Sequence, residues 1–222
     1  MLLLQFSTSH YCRKARLALG YKKISYQVEN LTPGLHLLKL RPLTGLTKVP
    51  VLLPQRVEEP QVIADSTRIF QYLETYQNNP PLMLPDASKQ TQAWLLEDWL
   101  DESIGTATRF IYYHFRAEKG KYIDSSLFSQ IVINIVRHQY NITSATVELA
   151  SERLKNAMNV LSYWQYQPYL VGESLSVADL TASALLSPLG LIPEYRQDYP
   201  WLFEKIIAIH QICGEKLPAG LN

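Results

Sequence analysis

Strand periodicity stops at one place in this sequence. Up to about residue 77 short apolar runs alternate with stretches of helical spacing, whereas beyond the proline-rich segment "QNNPPLMLPDAS" only helical spacing remains. A chain built this way is expected to hold two units, a small mixed α/β domain over residues 1–77 and an all-helical domain over 89–222, joined by a linker at 78–88.

Within the first unit, "MLLLQF" reads as a buried strand. From Tyr11 to Leu19, Cys12, Ala15 and Leu19 share one helical face and Arg13, Lys14 and Arg16 point away from it, as in an amphipathic helix. "ISYQVE" alternates Ile24, Tyr26 and Val28 as a half-buried strand does. A connection containing Pro and Gly follows, then two strand candidates, "VPVLLP" and "QVIA", separated by the polar "QRVEEP" in the manner of a hairpin. Ile69, Phe70, Leu73 and Tyr76 then recur at helical spacing. In the second unit the same spacing marks Trp94 and Leu95 with Trp99, Val147 through Leu154 with Met158 and Leu161, Ala178 to Leu186, and Trp201 to Ile212.

Composition narrows the function classes. The net charge is +1 with basic residues scattered along the chain, which disfavours nucleic acid as a partner. The two cysteines, Cys12 and Cys213, lie far apart and suggest neither a disulfide framework nor a metal site. No apolar run approaches the ~20 residues of a membrane span, and "MLLLQF" lacks the charged start of a signal peptide. A soluble, cytoplasmic protein is expected.

Four short motifs carry chemistry. In "STSHYCRKARLAL", Ser9 stands three residues before Cys12, at the turn from strand to helix, where free N–H groups and the helix dipole favour an anion. This is the place of the first cysteine in a Cys-x-x-Cys, so a thiol used here would arrive with a substrate; a simple helix cap is the other reading of the same serine. Val49-Pro50 begins a strand in a way that leaves the Val49 main chain free to pair with a peptide ligand, although an ordinary strand-initiating proline reads the same. In "ADSTRI" the Asp65 carboxylate, the Ser66 hydroxyl and a helix start converge, suited to an amino-acid zwitterion or to a plain cap. Ser176 and Asp179 in "GESLSVADL" form a capping box, a folding device that keeps Asp179 out of the catalytic set.

Taken together, these motifs resemble those of the glutathione S-transferase superfamily over nearly the whole chain. "SHYCRKARLAL" resembles its Ser-x-x-Cys-Arg-x-x-Arg opening, "TKVPVL" its cis-proline loop, "ADST" its γ-glutamyl clamp with Asp in place of the usual Glu or Gln, and "YLVGESLSVADLTASALL" its helical-domain signature. The resemblance implies a thioredoxin-like α/β N-terminal domain plus an all-α C-terminal domain, and a serine-type member of theta, tau, zeta-like or bacterial class. Ser9 would be the catalytic residue, donating to the glutathione sulfur, with Thr8 and Tyr11 as other candidates.

The resemblance further implies that Lys48, Val49, Pro50, Asp65 and Ser66 bind glutathione, with a cis bond between Val49 and Pro50. Tyr11, Arg109 and Tyr113 would line the pocket for a small hydrophobic electrophile, and Cys12 would serve packing. No metal and no cofactor beyond glutathione as co-substrate are implied. The expected activity is conjugation in detoxification by a homodimer that binds neither nucleic acid nor membrane. A glutathione-dependent isomerase, peroxidase or dehalogenase, and a non-catalytic binding module, remain as alternatives.

Overall fold

The computed structural model describes residues 1–54 and 62–221. Four strands form one sheet in the order β2-β1-β3-β4, where β1 is Leu2–Gln5, β2 Gln27–Asn30, β3 Val51–Leu53 and β4 Ile63–Ala64. β1 runs parallel to β2 and antiparallel to β3, and β4 closes the other edge antiparallel to β3. Leu3 and Leu4 of β1 and Val51 and Leu52 of β3 are fully buried, which is why these short apolar runs occupy the two central strands. The polar "QRVEEP" lies outside the described residues.

Within the α/β domain the sequence reading differs from the structure in three places. β2 starts at Gln27, so Ile24 and Tyr26 precede it, and Val28 is 42% exposed because β2 is an edge strand. The connection to β3 contains a helix, α2 (His36–Thr44), ending on Gly45 with φ 72°. It buries only Leu40 and holds Pro42 within it, so it has no apolar stripe to read.

The third difference lies in α1 (His10–Tyr21). It buries Cys12, Ala15 and Leu19 as the spacing predicts, but Lys14 is also fully buried and Arg16 nearly so. The cause is partners in both domains. Lys14 Nζ is ion-paired with Glu97 and Asp101 and donates to Thr67 Oγ1 at 3.0 Å; Arg16 pairs with Glu215 at 2.8 Å and donates to Gln5 at 2.6 Å. The helix is thus enclosed by α/β and helical domains together, and each buried charge is matched by an opposite one.

α3 (Ser66–Tyr76) packs on α1 through Ile69, Phe70 and Leu73. After residues 77–86 the helical domain follows: α4 (Ala87–Asp98), continued by a π-helical segment Trp99–Ile104 into α5 (Gly105–Ala117), then α6 (Leu127–Gln139), α7 (Ser144–Leu161), α8 (Val177–Leu185), α9 (Pro193–Asp198) and α10 (Pro200–Cys213). In α4, Leu95 is 66% exposed, so its part of the predicted apolar face points to solvent. α7 buries Val147, Leu154, Met158 and Leu161 as expected, and α8 is buried along its whole length.

α1 packs against α3, α8 and α10, which joins the two domains into one core. Gly20 sits where an added Cβ would overlap the Cys213 carbonyl oxygen, so α1 and α10 approach as only glycine allows. Among the described residues no helix is long and apolar enough to cross a membrane.

Candidate functional site

Strand register gathers the motifs at one end of the sheet. Val51 lies opposite Leu4 of β1 on one side and Ala64 of β4 on the other. The residues just beyond these partners are therefore neighbours: the chain leaving β1 toward Ser9, the chain entering β3 through Val49 and Pro50, and the chain leaving β4 through Asp65 and Ser66. Asp65 N–H donates to the Pro50 carbonyl at 3.3 Å and fastens the last two together.

Ser9 is the N-cap of α1. Its Oγ accepts from the Cys12 amide at 3.3 Å, so the capping reading holds. The cap uses an oxygen lone pair, and the hydroxyl proton lies within hydrogen-bonding reach of the Cys12 sulfur, a weak acceptor from which it can turn to a stronger one outside. The amides of His10 and Tyr11 have no acceptor among the described residues, so the positive end of the helix is open beside Ser9. Cys12 is fully buried and its thiol is pushed up to about 11, chiefly by that burial, as suits a packing residue. Tyr11 donates to the Asp101 carbonyl at 2.7 Å, which commits its phenolic proton within the protein, and burial raises its pKa to about 12. Thr8 is exposed in the turn before the cap.

The bond between Val49 and Pro50 is cis. Val49 is half-buried and precedes the strand, and neither of its main-chain groups is hydrogen-bonded among the described residues. Lys48, beside it, is exposed.

Asp65 adopts φ 89° and caps α3, one carboxylate oxygen accepting from Thr67 N at 2.9 Å and Arg68 N at 3.1 Å. Of the two readings the sequence offers for this carboxylate, one oxygen realises the cap, while its second oxygen accepts no bond from a described residue. Ser66 is buried, yet neither its amide nor its hydroxyl has a partner among the described residues.

Across from the α1 start stands α5. His10 is buried, its Nε2 lies 3.2 Å from the Gly105 carbonyl, and burial followed by the charge of Arg109 pushes its pKa down to about 3. A Cβ on Gly105 would meet the Tyr11 hydroxyl at 2.8 Å, so this glycine lets the two helices close together. One turn on, the Arg109 guanidinium lies 5.2 Å from the Tyr11 ring centre and 4.4 Å from that of Tyr140.

Tyr113 adjoins the same group. Its ring stands edge-on to Tyr112 at 5.2 Å, and its pKa is raised to about 12 by burial, with Tyr112, Arg109 and Tyr140 also acting on it. The fold thus brings Tyr11, Arg109 and Tyr113 together. It adds Tyr140 from the end of α6, which no local pattern marks because it arrives from thirty-one residues further along the chain.

Residues 3–81 match the family model described as glutathione S-transferase, N-terminal domain. FtsZ-localized protein A of Caulobacter vibrioides is 25% identical over 193 residues, which cover 85% of this chain and 75% of that one. Among solved structures, FzlA from C. crescentus superposes with a TM-score of 0.71 at 19% identity over 98% of this chain and 93% of its own. A glutathione S-transferase from Methylobacterium radiotolerans in complex with glutathione sulfonate gives 0.73 at 19% identity over 98% and 94%.

Proposed function

We propose that this member of the glutathione S-transferase superfamily is a serine-type glutathione transferase that directs the thiolate of glutathione at a small electrophile. The observation that carries the reading is the convergence at one sheet end of polar groups without acceptors or donors among the described residues, the His10 and Tyr11 amides, the Val49 main chain, and the Ser66 amide and hydroxyl, beside the Ser9 hydroxyl, whose one acceptor within reach is the weak Cys12 sulfur. Glutathione has the matching groups in the matching order. Its thiolate faces Ser9, its cysteinyl main chain pairs with Val49 in β fashion beside Pro50, and its γ-glutamyl carboxylate meets Ser66. The free oxygen of Asp65 faces the γ-glutamyl ammonium and the Lys48 ammonium the glycine carboxylate.

In this reading Ser9 stabilises charge and forms no covalent bond. Its hydroxyl and the open α1 terminus favour thiolate over thiol, the proton passing to solvent, and the thiolate attacks the electrophile lying against Tyr11, Tyr113 and Tyr140, either expelling a leaving group such as chloride or adding to a multiple bond whose electron pair then takes up a proton. Isomerase, peroxidase and dehalogenase activities use the same thiolate and differ in the second pocket.

A second reading is favoured by one comparison, the likeness to FtsZ-localized protein A across most of this chain: a glutathione-transferase fold that serves as a binding module for another protein. Retention on immobilised glutathione, followed by turnover with a panel of chloronitrobenzenes, isothiocyanates, hydroperoxides and dehydroascorbate, separates the two. Retention with turnover supports the transferase, and absence of both supports the module.

A further inference from the structure

Arg109 is a cation with no anion paired to it among the described residues. Among the described residues it forms no ion pair and donates no hydrogen bond, and its guanidinium lies over the faces of Tyr11 and Tyr140. The nearby carboxylates do not serve it. Asp101, whose charge reaches Tyr11, is held by Lys14, and Glu102, which also acts on Tyr11, makes no ion pair with Arg109. His10 is buried and neutral, and Arg13 adds a second positive charge that His10 feels.

The aromatic faces take up the charge of the guanidinium but accept none of its five N–H donors, and they hold it half-buried in a set position. That position is over the α1 start: Arg109 follows Gly105 by one turn on the α5 face that meets His10 and Tyr11, and Tyr11 is two residues from Ser9.

We infer that Arg109 is the recognition group for an anionic substituent, a carboxylate in the first instance, on the second substrate. The inference rests on the transferase reading and narrows its substrate class: an aromatic or conjugated electrophile whose body lies against Tyr11, Tyr113 and Tyr140 and whose carboxylate meets the guanidinium edge in a bidentate pair. The plain alternative is that Arg109 only fastens α5 to α1 and α6 through its two rings, in which case the charge of the ligand is immaterial.

The test is calorimetric binding of S-(p-carboxybenzyl)glutathione and of its methyl ester, which differ at the anion alone. The expected result for the unaltered protein is about 10- to 100-fold tighter binding of the acid, the range of a charge-assisted hydrogen bond. In Arg109→Met the ratio should fall to near one, and Arg109→Lys should keep part of it. The same ratio read with p-nitrobenzoate and its methyl ester needs no thiol site, and glutathione titrated alone reports on the glutathione reading separately. Equal binding of acid and ester in both pairs overturns the proposal, as does a preference for the acid that survives in Arg109→Met.

Discussion

The Asp65 amide donates to the Pro50 carbonyl oxygen across 3.3 Å, so the start of α3 and the loop entering β3 are one piece. A ligand seated on either is seated on both, and the Asp65 side chain has two tasks that substitution can separate.

Asp65→Asn retains an oxygen for the Thr67 and Arg68 amides, and asparagine caps helices as well as aspartate does and tolerates positive φ. Its melting temperature should therefore match the parent while glutathione affinity falls about 10- to 100-fold through loss of the charged contact. Asp65→Ala should show that loss and also a stability decrease of about 1 kcal/mol. Unchanged glutathione binding in Asp65→Asn would remove the carboxylate from the clamp.

The capping box of α8 is a stability element. Asp179 accepts from Leu170 N at 2.6 Å and from both Ser176 N and Oγ, at 2.9 and 2.8 Å, all buried. Ser176→Ala removes one of these bonds and should cost about 1 kcal/mol. Asp179→Ala strands two buried amides at about 1–3 kcal/mol each and should cost more than twice as much in urea unfolding. A larger loss from Ser176→Ala than from Asp179→Ala would contradict the assignment.

Acid should destabilise the fold through its buried histidines. Burial pushes His10 to about 3 and His210 to about 4, against 6.5 when unfolded. Below 6.5 the unfolded chain binds these protons and the folded one does not, so stability is complete above that pH and is lost as pH falls toward each folded value. At pH 5 each histidine should cost roughly 2 kcal/mol relative to neutral pH. Asp179 works the other way, since burial raises its pKa to about 6 and folding then favours its protonated form. The difference between parent and His10→Gln isolates the histidine: the glutamine variant should lose about 2 kcal/mol less between pH 7 and pH 5. Identical pH profiles would show that His10 is not held neutral.

Gly20→Ala should destabilise by about 1–3 kcal/mol or more, because the new methyl group meets main chain at Cys213 and α1 and α10 must separate. A variant as stable as the parent in denaturant titration would mean that these helices are not held at this spacing.

Much of this was legible in the sequence because its causes are local. The alternation that ends near residue 77, the apolar runs of β1 and β3, the Ser9 cap and the Ser176–Asp179 box depend on residues a few positions apart. α2 was hidden because it buries one leucine and so carries no period. The burial of Lys14 and Arg16 was hidden because Glu97, Asp101 and Glu215, which make it possible, lie eighty or more residues away. At the site, sequence names Ser9, Val49, Asp65 and Ser66 and offers both cap and clamp for Asp65, but not that a single oxygen makes the whole cap and leaves the other without a bond from a described residue. Tyr140 beside Arg109, and the absence of an acidic partner for that guanidinium among the described residues, emerge only from tertiary packing.

The thiol pKa of bound glutathione, read from the ultraviolet absorbance of its thiolate in the parent and in Ser9→Ala, tests the central claim most directly. If the Ser9 hydroxyl donates to the sulfur, the parent should hold the thiol below its free value of ~8.5. Ser9→Ala should still bind glutathione while that pKa returns toward the free value, each unit corresponding to about 1.4 kcal/mol. Turnover at neutral pH should then fall by more than stability does. A Ser9→Ala protein that melts earlier yet keeps both its bound-thiol pKa and its rate would contradict the account and leave Ser9 as a helix cap alone.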